Sequence, residues 1–463
     1  MVISDNIYNN YNKGDIIEPA REVPVLMEVD VAIVGGGVAG IAASIAAARE
    51  GAKTVLIERD GCLGGTATVG MISGFQGADI SVVRGIFYEF VKKLKEHKGI
   101  MYGPNAGYAS FDPEVFKYIS EQFVLESGSE ILYHTCFSNA MVKNMVVKGI
   151  IIEAEEGKRA ILAKSTIDTS GNANVVAAAG APFTKDKCTQ PMTLGFRMDQ
   201  IDVMKVAEYV KDNREQFYSA PGQQTWHIEQ DHPFFVVGGF FDLIKAAKKK
   251  KELYLPHDSI WLHVLPRRGE ISINATRIIG LDGTSSVDLT KAVIDARRQM
   301  WSVTKFLIKY VPGFEKAQVV DSGVRIGVRE TRRSIGEYIL TRDDLLNSKR
   351  FPDTIANYNF PMDVQSPKGN EEGHGWTLIP VPYDIPFRCL IPKNYEGILA
   401  GGRCISTDHE VHGSTRSMPC CMATGQGAGV AAAIAANKGI ALGNIDIREL
   451  RDTLVRQGVI FYK

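Results

Sequence analysis

Asp30-Val31-Ala32-Ile33-Val34-Gly35-Gly36-Gly37-Val38-Ala39-Gly40 opens the passage that decides the fold of this 463-residue chain. Short apolar residues ahead of a glycine cluster suit a strand buried on both faces. Gly35, Gly37 and Gly40 stand at Gly-x-Gly-x-x-Gly spacing. The first serves a tight turn, the second close approach of a pyrophosphate to the backbone, the third close packing of helix on strand. The alanine-rich run that follows predicts a helix over 38–49, whose first N–H groups, those of Val38 and Ala39 among them, point at that phosphate. Residues 53–57 predict a second strand, closing on Glu58-Arg59. Glu58 follows Gly35 by 23 residues, near the roughly 20 expected of a carboxylate that takes ribose hydroxyls. Strand, glycines, helix, strand and acid in this order specify a dinucleotide. Whether it is NAD or FAD stays open from this unit alone.

Outward from that unit, the chain is long enough for two to three domains. Basic and acidic residues balance at 53 each. The densest like-charge run, Lys248-Lys249-Lys250-Lys251, reads as the solvated end of a helix beginning near Phe241, so nucleic acid is not indicated. Seven cysteines without a Cys-x-x-Cys pair read as a reduced, cytoplasmic protein with no iron–sulfur or zinc signature and no metal. The N-terminal 21 residues lack a signal pattern, and no apolar segment is long enough to span a membrane. A homo-oligomer is compatible with all of this and not specified by it.

Residues 61–68, a small-residue loop, let backbone approach something flat or charged. Helical periodicity follows over 84–97, then a helix from Asp112-Pro113, where Asp caps and Pro fits the first turn, to Gly128. Segments 130–134, 139–142, 146–153 and 159–163 read as strands of a small meander. The meander leads directly into 165–172, read as a strand returning to a glycine turn, which rejoins the opening sheet. From 181 to about 388 aromatics, prolines and histidines thicken, with strands at 261–265 and 270–275 and a helix over 288–310 capped by Asp288. The opening idiom then returns as a short strand at 397–402 and a glycine- and alanine-rich helix over 422–437. Its N-terminus near Gly425 would offer N–H groups to a developing anion. The expected fold is α/β. A Rossmann-like dinucleotide-binding domain with parallel sheet and β-meander takes residues 25–180 and 386–445. An inserted α+β substrate domain takes 181–385, and 446–463 is a C-terminal extension.

The ordered set resembles the FAD-dependent oxidoreductases with a glutathione-reductase-type FAD-binding fold, and within them a bacterial FAD-dependent oxidoreductase family. Beyond the opening unit, the resemblance rests on Leu63-Gly64-Gly65, Ile167-Asp168-Thr169-Ser170-Gly171 and 326–333. Most specific is Ala400-Gly401-Gly402-Arg403-Cys404-Ile405-Ser406, with Met418-Pro419 and Gly425-Gln426-Gly427 behind it. It spans about residues 25–440 and implies FAD as cofactor. The implied FAD-binding residues are Gly35, Gly37, Val38, Ala39, Gly40, Glu58, Arg59, Gly64, Gly65, Thr66, Phe137, Thr169, Gly171, Gly402, Arg403, Gly425, Gln426 and Gly427. Two departures stand out: Asn172 and Asn174 replace aspartates common after the second glycine turn, and Gly402-Arg403 replaces the usual Gly-Asp near the ribityl chain. The second glycine strand and helix favour FAD over NAD. A second Gly-x-Gly-x-x-Gly unit and a redox Cys-x-x-Cys are both missing, against a reductase of the disulfide type.

For chemistry, the expectation is hydride transfer between a small organic substrate and the flavin N5. The alternatives are an electron-transfer flavoprotein serving a partner, and redox-neutral catalysis. Residues 408–416, read as a loop beside the flavin ring, carry His409 and His412 for proton transfer and Arg416 for a carboxylate or enolate-like oxygen. The competing reading makes both histidines ordinary hydrogen-bonded loop residues. Arg329 stands in a cluster with Arg325, Arg332 and Arg333. That cluster suits an anionic substrate or a flavin phosphate, or equally an ion-pair network with Glu330 and Glu337. His374-Gly375-Trp376 reads as a surface loop rather than a mobile cover, and Cys62 as a free thiol rather than a flavin tether.

Overall fold

Val31, Ala32 and Ile33 have no exposed surface, because their strand lies between two others with a core on each face. The structure, a computed structural model, describes residues 19–103, 107–218, 226–227, 233–365 and 375–462. Most of the N-terminal lead-in and His374 lie outside that set. The first strand, Val25–Val34, pairs in parallel with Thr54–Ile57 on one side and Gly157–Asp168 on the other. Glu130–Leu132 extends the parallel set beyond Thr54–Ile57. Ile398–Ala400 pairs in parallel with the last three residues of Gly157–Asp168. Val31 and Ile33 face one core, with the helix side chains, while Ala32 and Val34 face a second core with Val147, Ile150 and Ile152. That two-sided burial is why the run is apolar without alternation.

The meander is Cys136–Lys143, Val146–Ala154 and the first half of Gly157–Asp168. The strand expected at 159–163 and the one read over 165–172 are one strand of twelve residues, Gly157–Asp168. Nothing between them breaks extended backbone, and Lys164 turns outward to Asp30 at 2.7 Å. Along its length this shared strand holds the first strand, while its other edge changes partner from the meander to Ile398–Ala400.

The first helix, Val38–Arg49, packs on a 21-residue glycine helix, Met418–Lys438. Approach is close enough that a Cβ on Gly425 would stand 2.2 Å from the Ala39 carbonyl oxygen, and one on Gly429 2.3 Å from that of Ala43. The glycine helix starts four residues earlier than expected, with Pro419 in its first turn, where a missing N–H costs nothing. Asp112 caps Pro113–Glu126 by accepting the Glu114 and Val115 N–H groups at 2.8 and 3.3 Å. In Ser286–Tyr310, by contrast, the cap is Ser285, whose hydroxyl accepts the Asp288 N–H. Asp288 instead takes the Asp282 N–H at 3.0 Å, which corrects the expected cap. The C-terminal helix Ile447–Arg456 buries Leu450 and Leu454 in the same core as the first helix.

A second, antiparallel sheet of six strands comes from the middle of the chain. Its order is Trp226–His227, Phe234–Gly239, Ile260–Val264, Ile271–Asn274, Phe196–Asp199 and Gln318–Ser322. One face packs on Val203–Asp212, Phe241–Lys249 and Ser286–Tyr310, burying Ile260, Leu262, Val264, Ile271 and Ile273. The other face presents Trp261, His263 and Asn274 to a cavity shared with the first sheet's loops. The architecture is mixed α/β, with a parallel sheet carrying a meander and an antiparallel sheet roofing the cavity.

Candidate functional site

A cavity of about 600 Å³ runs from the glycine turn of the first strand to the underside of the second sheet. That is within the usual range for a bound small molecule or cofactor. At the turn, Gly35 has φ +106°, a conformation natural to glycine. A Cβ on Gly40 would stand 2.0 Å from the Gly35 carbonyl oxygen. Thr169 locks the turn, its hydroxyl donating to the carbonyls of Val34 at 3.0 Å and Gly35 at 2.8 Å. Gly37 differs from both: a Cβ there meets nothing within 4 Å, and Gly37, Val38 and Ala39 line the cavity. The result is an open cradle of backbone at a helix N-terminus, the geometry an anionic pyrophosphate needs.

Glu58 is buried, and its two oxygens accept the N–H groups of Gly36 at 2.7 Å and Asp60 at 2.9 Å. A carboxylate has roughly four acceptor sites, so capacity remains for ribose hydroxyls. Arg325 pairs with Asp60 and lies 3.8 Å from Glu58. Beyond them Arg59, Thr135, Cys136 and Phe137 line the same end, and Gly64, Gly65 and Thr66 border it from the small-residue loop. The Gly64 N–H donates to the Gly36 carbonyl at 2.8 Å. An open backbone cradle followed by a buried acid with spare acceptor capacity fits an adenine dinucleotide.

The C-terminal glycines divide. Gly171 and Arg403 line the cavity. Gly402 lies behind it, donating its N–H to the Thr424 hydroxyl at 3.0 Å. Arg403 donates to Asn172 Oδ1 at 2.7 Å and to the Val328 carbonyl. Burial pushes its guanidinium pKa down to about 10. Asn174 accepts from Arg332 at 2.9 Å. The Asn172 and Arg403 departures are therefore bonded to each other. Gly425, Gln426 and Gly427 do not line the cavity. Gly425 abuts Ala39, and Gly427 abuts Ile355. Gln426 accepts the Ile86 N–H at 3.1 Å and donates to the Gln457 carbonyl at 3.2 Å. The helix end at the cavity is Ser417-Met418, because the helix begins about two turns before Gly425.

Residues 408–416, expected as a loop, form the helix His409–Thr415, with Asp408 capping the Val411 N–H at 2.8 Å. The helix turns both of its histidines away from the cavity. His409 Nδ1 lies 2.8 Å from Glu330 and 3.6 Å from Asp186. Arg333 joins the same two carboxylates, so this three-residue cluster already holds a cation. His412 Nε2 is 3.1 Å from the Arg329 carbonyl, and burial drives its pKa down to about 3, leaving it neutral.

The four clustered arginines go separate ways. Arg325, Arg332 and Arg333 are engaged as described. Glu337 takes no part, accepting the Asn394 N–H at 3.3 Å. Arg329 lines the cavity and donates to the Pro191 carbonyl at 2.6 Å. Burial, then the charges of Arg416 and Arg277, push its pKa down to about 9. Arg416 also lines the cavity, donating at 3.1 Å to both the carbonyl and a carboxylate oxygen of Asp363.

Several cavity residues were not anticipated: Arg277, His257, Trp261, His263, Asp363 and Gln365. His257 Nε2 sits 2.6 Å from the Ala275 carbonyl. His263 Nδ1 has no partner among the described residues, and burial lowers its pKa to about 4. The alternation Ile260-Trp261-Leu262-His263-Val264 was the available signal, since it puts Trp and His on the face opposite the core. Trp376 is a further correction. It lies on a strand, Gly375–Thr377, lines the cavity and donates to Asp363 Oδ1 at 2.9 Å. Cys62 is not among the lining residues, and burial raises its thiol.

The chain is similar to several known proteins. Thiamine thiazole synthase of Methanococcus vannielii is 28% identical over 180 residues, 35% of this chain and 63% of that protein. The chain therefore spans less than two thirds of that relative. Among solved structures, a geranylgeranyl bacteriochlorophyll reductase-like protein of Thermoplasma acidophilum aligns over 94% of this chain and 84% of its own, with TM-score 0.47 and 14% identity. The p-nitrophenol 4-monooxygenase of Pseudomonas putida aligns over 93% and 85%, with TM-score 0.48 and 10% identity. Residues 30–454 match the family described as FAD dependent oxidoreductase. A match over nearly the whole chain settles the assignment: the protein belongs to the FAD dependent oxidoreductase family, and its cofactor is FAD.

Proposed function

We propose that the protein transfers a hydride between a carbon of a small organic substrate and N5 of FAD. The observation that carries this reading is the continuity of the cavity. It is bordered by bare backbone at one end and by Arg277, Arg329, Arg416, His257 and His263 at the other. When bound, FAD supplies the hydride chemistry, and the chain supplies orientation, anchoring and proton handling. Under this reading Glu58 takes the ribose, the turn from Gly35 to Ala39 cradles the pyrophosphate, and Arg403 adds a positive charge beside it. His263 on the strand Ile260–Val264 and His257 just before it are the proton carriers in place of His409 and His412. His263 Nδ1, buried without a partner among the described residues, is the ring nitrogen left to take that proton. Trp261 and Trp376 bring apolar surface to the same end and exclude water. His409 and His412 then support the Arg329 segment, through Glu330 and the Arg329 carbonyl. A flavoprotein that only hands electrons to a partner has no use for this many ionisable groups at the inner end of its cavity.

Anaerobic mixing of FAD-loaded protein with a panel of small organic substrates tests the reading through loss of flavin absorbance. At least one compound is expected to bleach the flavin. His263→Gln should slow that step by about 10²–10⁴-fold with FAD content unchanged. Retained FAD with bleaching abolished in His409→Ala but intact in His263→Gln would overturn the proton assignment.

A further inference from the structure

Buried arginines elsewhere in this protein sit on carboxylates. Arg197 donates to Glu270 at 3.1 Å and Asp321 at 2.5 Å, and Arg333 is held by Glu330 and Asp186. In the cavity two arginines, Arg277 and Arg329, break that habit, and a third beside them, Arg416, brings the one carboxylate they share. Arg277 follows the strand Ile271–Asn274, Arg329 lies in the irregular stretch after Gln318–Ser322, and Arg416 ends the helix His409–Thr415. Folding thus brings three separate parts of the chain to one place. The carboxylate facing them is Asp363, which Arg416 engages at 3.1 Å. Among the described residues, the Arg277 side chain has only the neutral side-chain oxygen of Gln365, at 2.5 Å, and that of Arg329 only the neutral Pro191 carbonyl. Nε of Arg416 is buried with no partner among the described residues, so a donor is left over. Charges removed from water without counter-charge are costly, and arginine, which stays charged, cannot escape by losing its proton.

Among the described residues, three positive groups and one negative group leave two positive charges unbalanced. Arg403 is a separate matter. It is bonded to Asn172 beside Gly171 at the glycine-turn end, where the FAD phosphates provide its counter-charge under the reading above. We propose that the cluster of Arg277, Arg329 and Arg416 is the anchor for a substrate bearing carboxylates, with charge complementarity for a small dicarboxylic acid. A planar guanidinium matches a carboxylate in a two-point hydrogen-bonded pair, and three such groups around one inner end fix both position and orientation. The assignment rests on the hydride-transfer reading only in calling the bound acid a substrate.

Binding is measured on the FAD-loaded protein without turnover, by flavin absorbance change and by tryptophan fluorescence, since Trp261 and Trp376 line the cavity. The probes are malonate, succinate and acetate, with succinamide as the neutral counterpart of succinate. A saturable response to malonate or succinate, at least tenfold tighter than to acetate or succinamide, is expected. Arg277→Gln and Arg329→Gln should each weaken it at least tenfold at unchanged FAD per chain. Equal binding of succinate and succinamide, or variants that bind the acid as the parent does, would overturn the proposal. So would an absent acid response accompanied by loss of FAD in the variants, which would give the cluster to the flavin itself. Should a variant fail to fold, the acid and amide comparison on the parent protein decides alone. Acid binding without any substrate-dependent bleaching would sink the hydride reading and leave this one standing. Bleaching by neutral compounds with no acid binding would do the reverse.

Discussion

Gly37 is informative because of the space beside it. Its φ is −68° and an added Cβ meets nothing within 4 Å. Gly37→Ala should therefore leave the apoprotein's stability within about 0.5 kcal/mol of the parent, while the methyl stands in the pyrophosphate cradle. The expected result is unchanged melting of apoprotein and at least a tenfold loss of FAD affinity by titration. Glu330 offers a second test at this scale. Burial alone would raise its carboxyl, but the hydrogen bond from His409 and the charges of His409 and Arg333 hold it at about 2. Its contribution is present above the ordinary value of 4.5 and disappears as pH falls toward 2. His409, raised above 6.5 chiefly by the same hydrogen bond, contributes at lower pH and loses that contribution as pH climbs through its folded value. A plot of Tm against pH should lose slope on both limbs in Glu330→Gln. Equal slopes in parent and variant would exclude the pair as a source of pH dependence. That Gly35, Gly37 and Glu58 border the cavity was readable from spacing, because strand, turn and helix fix them locally. His409 and His412 were misplaced because nearness in sequence to the C-terminal glycines says nothing about which way a short helix turns its side chains.

Among elements, the glycine helix carries the sharpest prediction. Alanine is the better helix former by about 1 kcal/mol, so Gly425→Ala would stabilise an isolated helix. Here the new Cβ would lie 2.2 Å from the Ala39 carbonyl oxygen, and forcing helices apart costs about 1–3 kcal/mol. A net fall in the denaturant midpoint is expected, with weaker FAD retention because Ala39 borders the cradle. A rise in midpoint would show that the two helices yield. The same steric logic explains the helix His409–Thr415, where a Cβ on Gly413 would stand 2.8 Å from the Asp363 carbonyl oxygen. That close approach delivers Arg416 to Asp363. Gly413 in a polar run looked like loop sequence, because the strand it packs against lies some 50 residues earlier. In the second sheet, Ile260 to Val264 showed their two-faced pattern openly; what they faced did not show.

Over the whole molecule, the cavity is lined by pieces from both ends of the chain, so FAD binding there should stabilise the fold as one body. At a free FAD concentration a hundred times Kd the gain is about 2.7 kcal/mol, to be read as a rise in Tm relative to apoprotein. Two independent melting transitions, only one of them sensitive to FAD, would argue against that unity. The parallel unit was legible because its parts are close in sequence. The roof was not, since Phe196–Asp199 pairs with Gln318–Ser322 across more than a hundred residues. The same long reach has a consequence for synthesis. The edge of Thr166, Ile167 and Asp168 finds its partner only in Ile398, Leu399 and Ala400, roughly 230 residues later. At about 5–20 residues per second, the ribosome leaves that edge bare for on the order of ten to fifty seconds. An uncovered edge invites foreign strands, so the nascent chain is exposed to mispairing there until its own last strand is made.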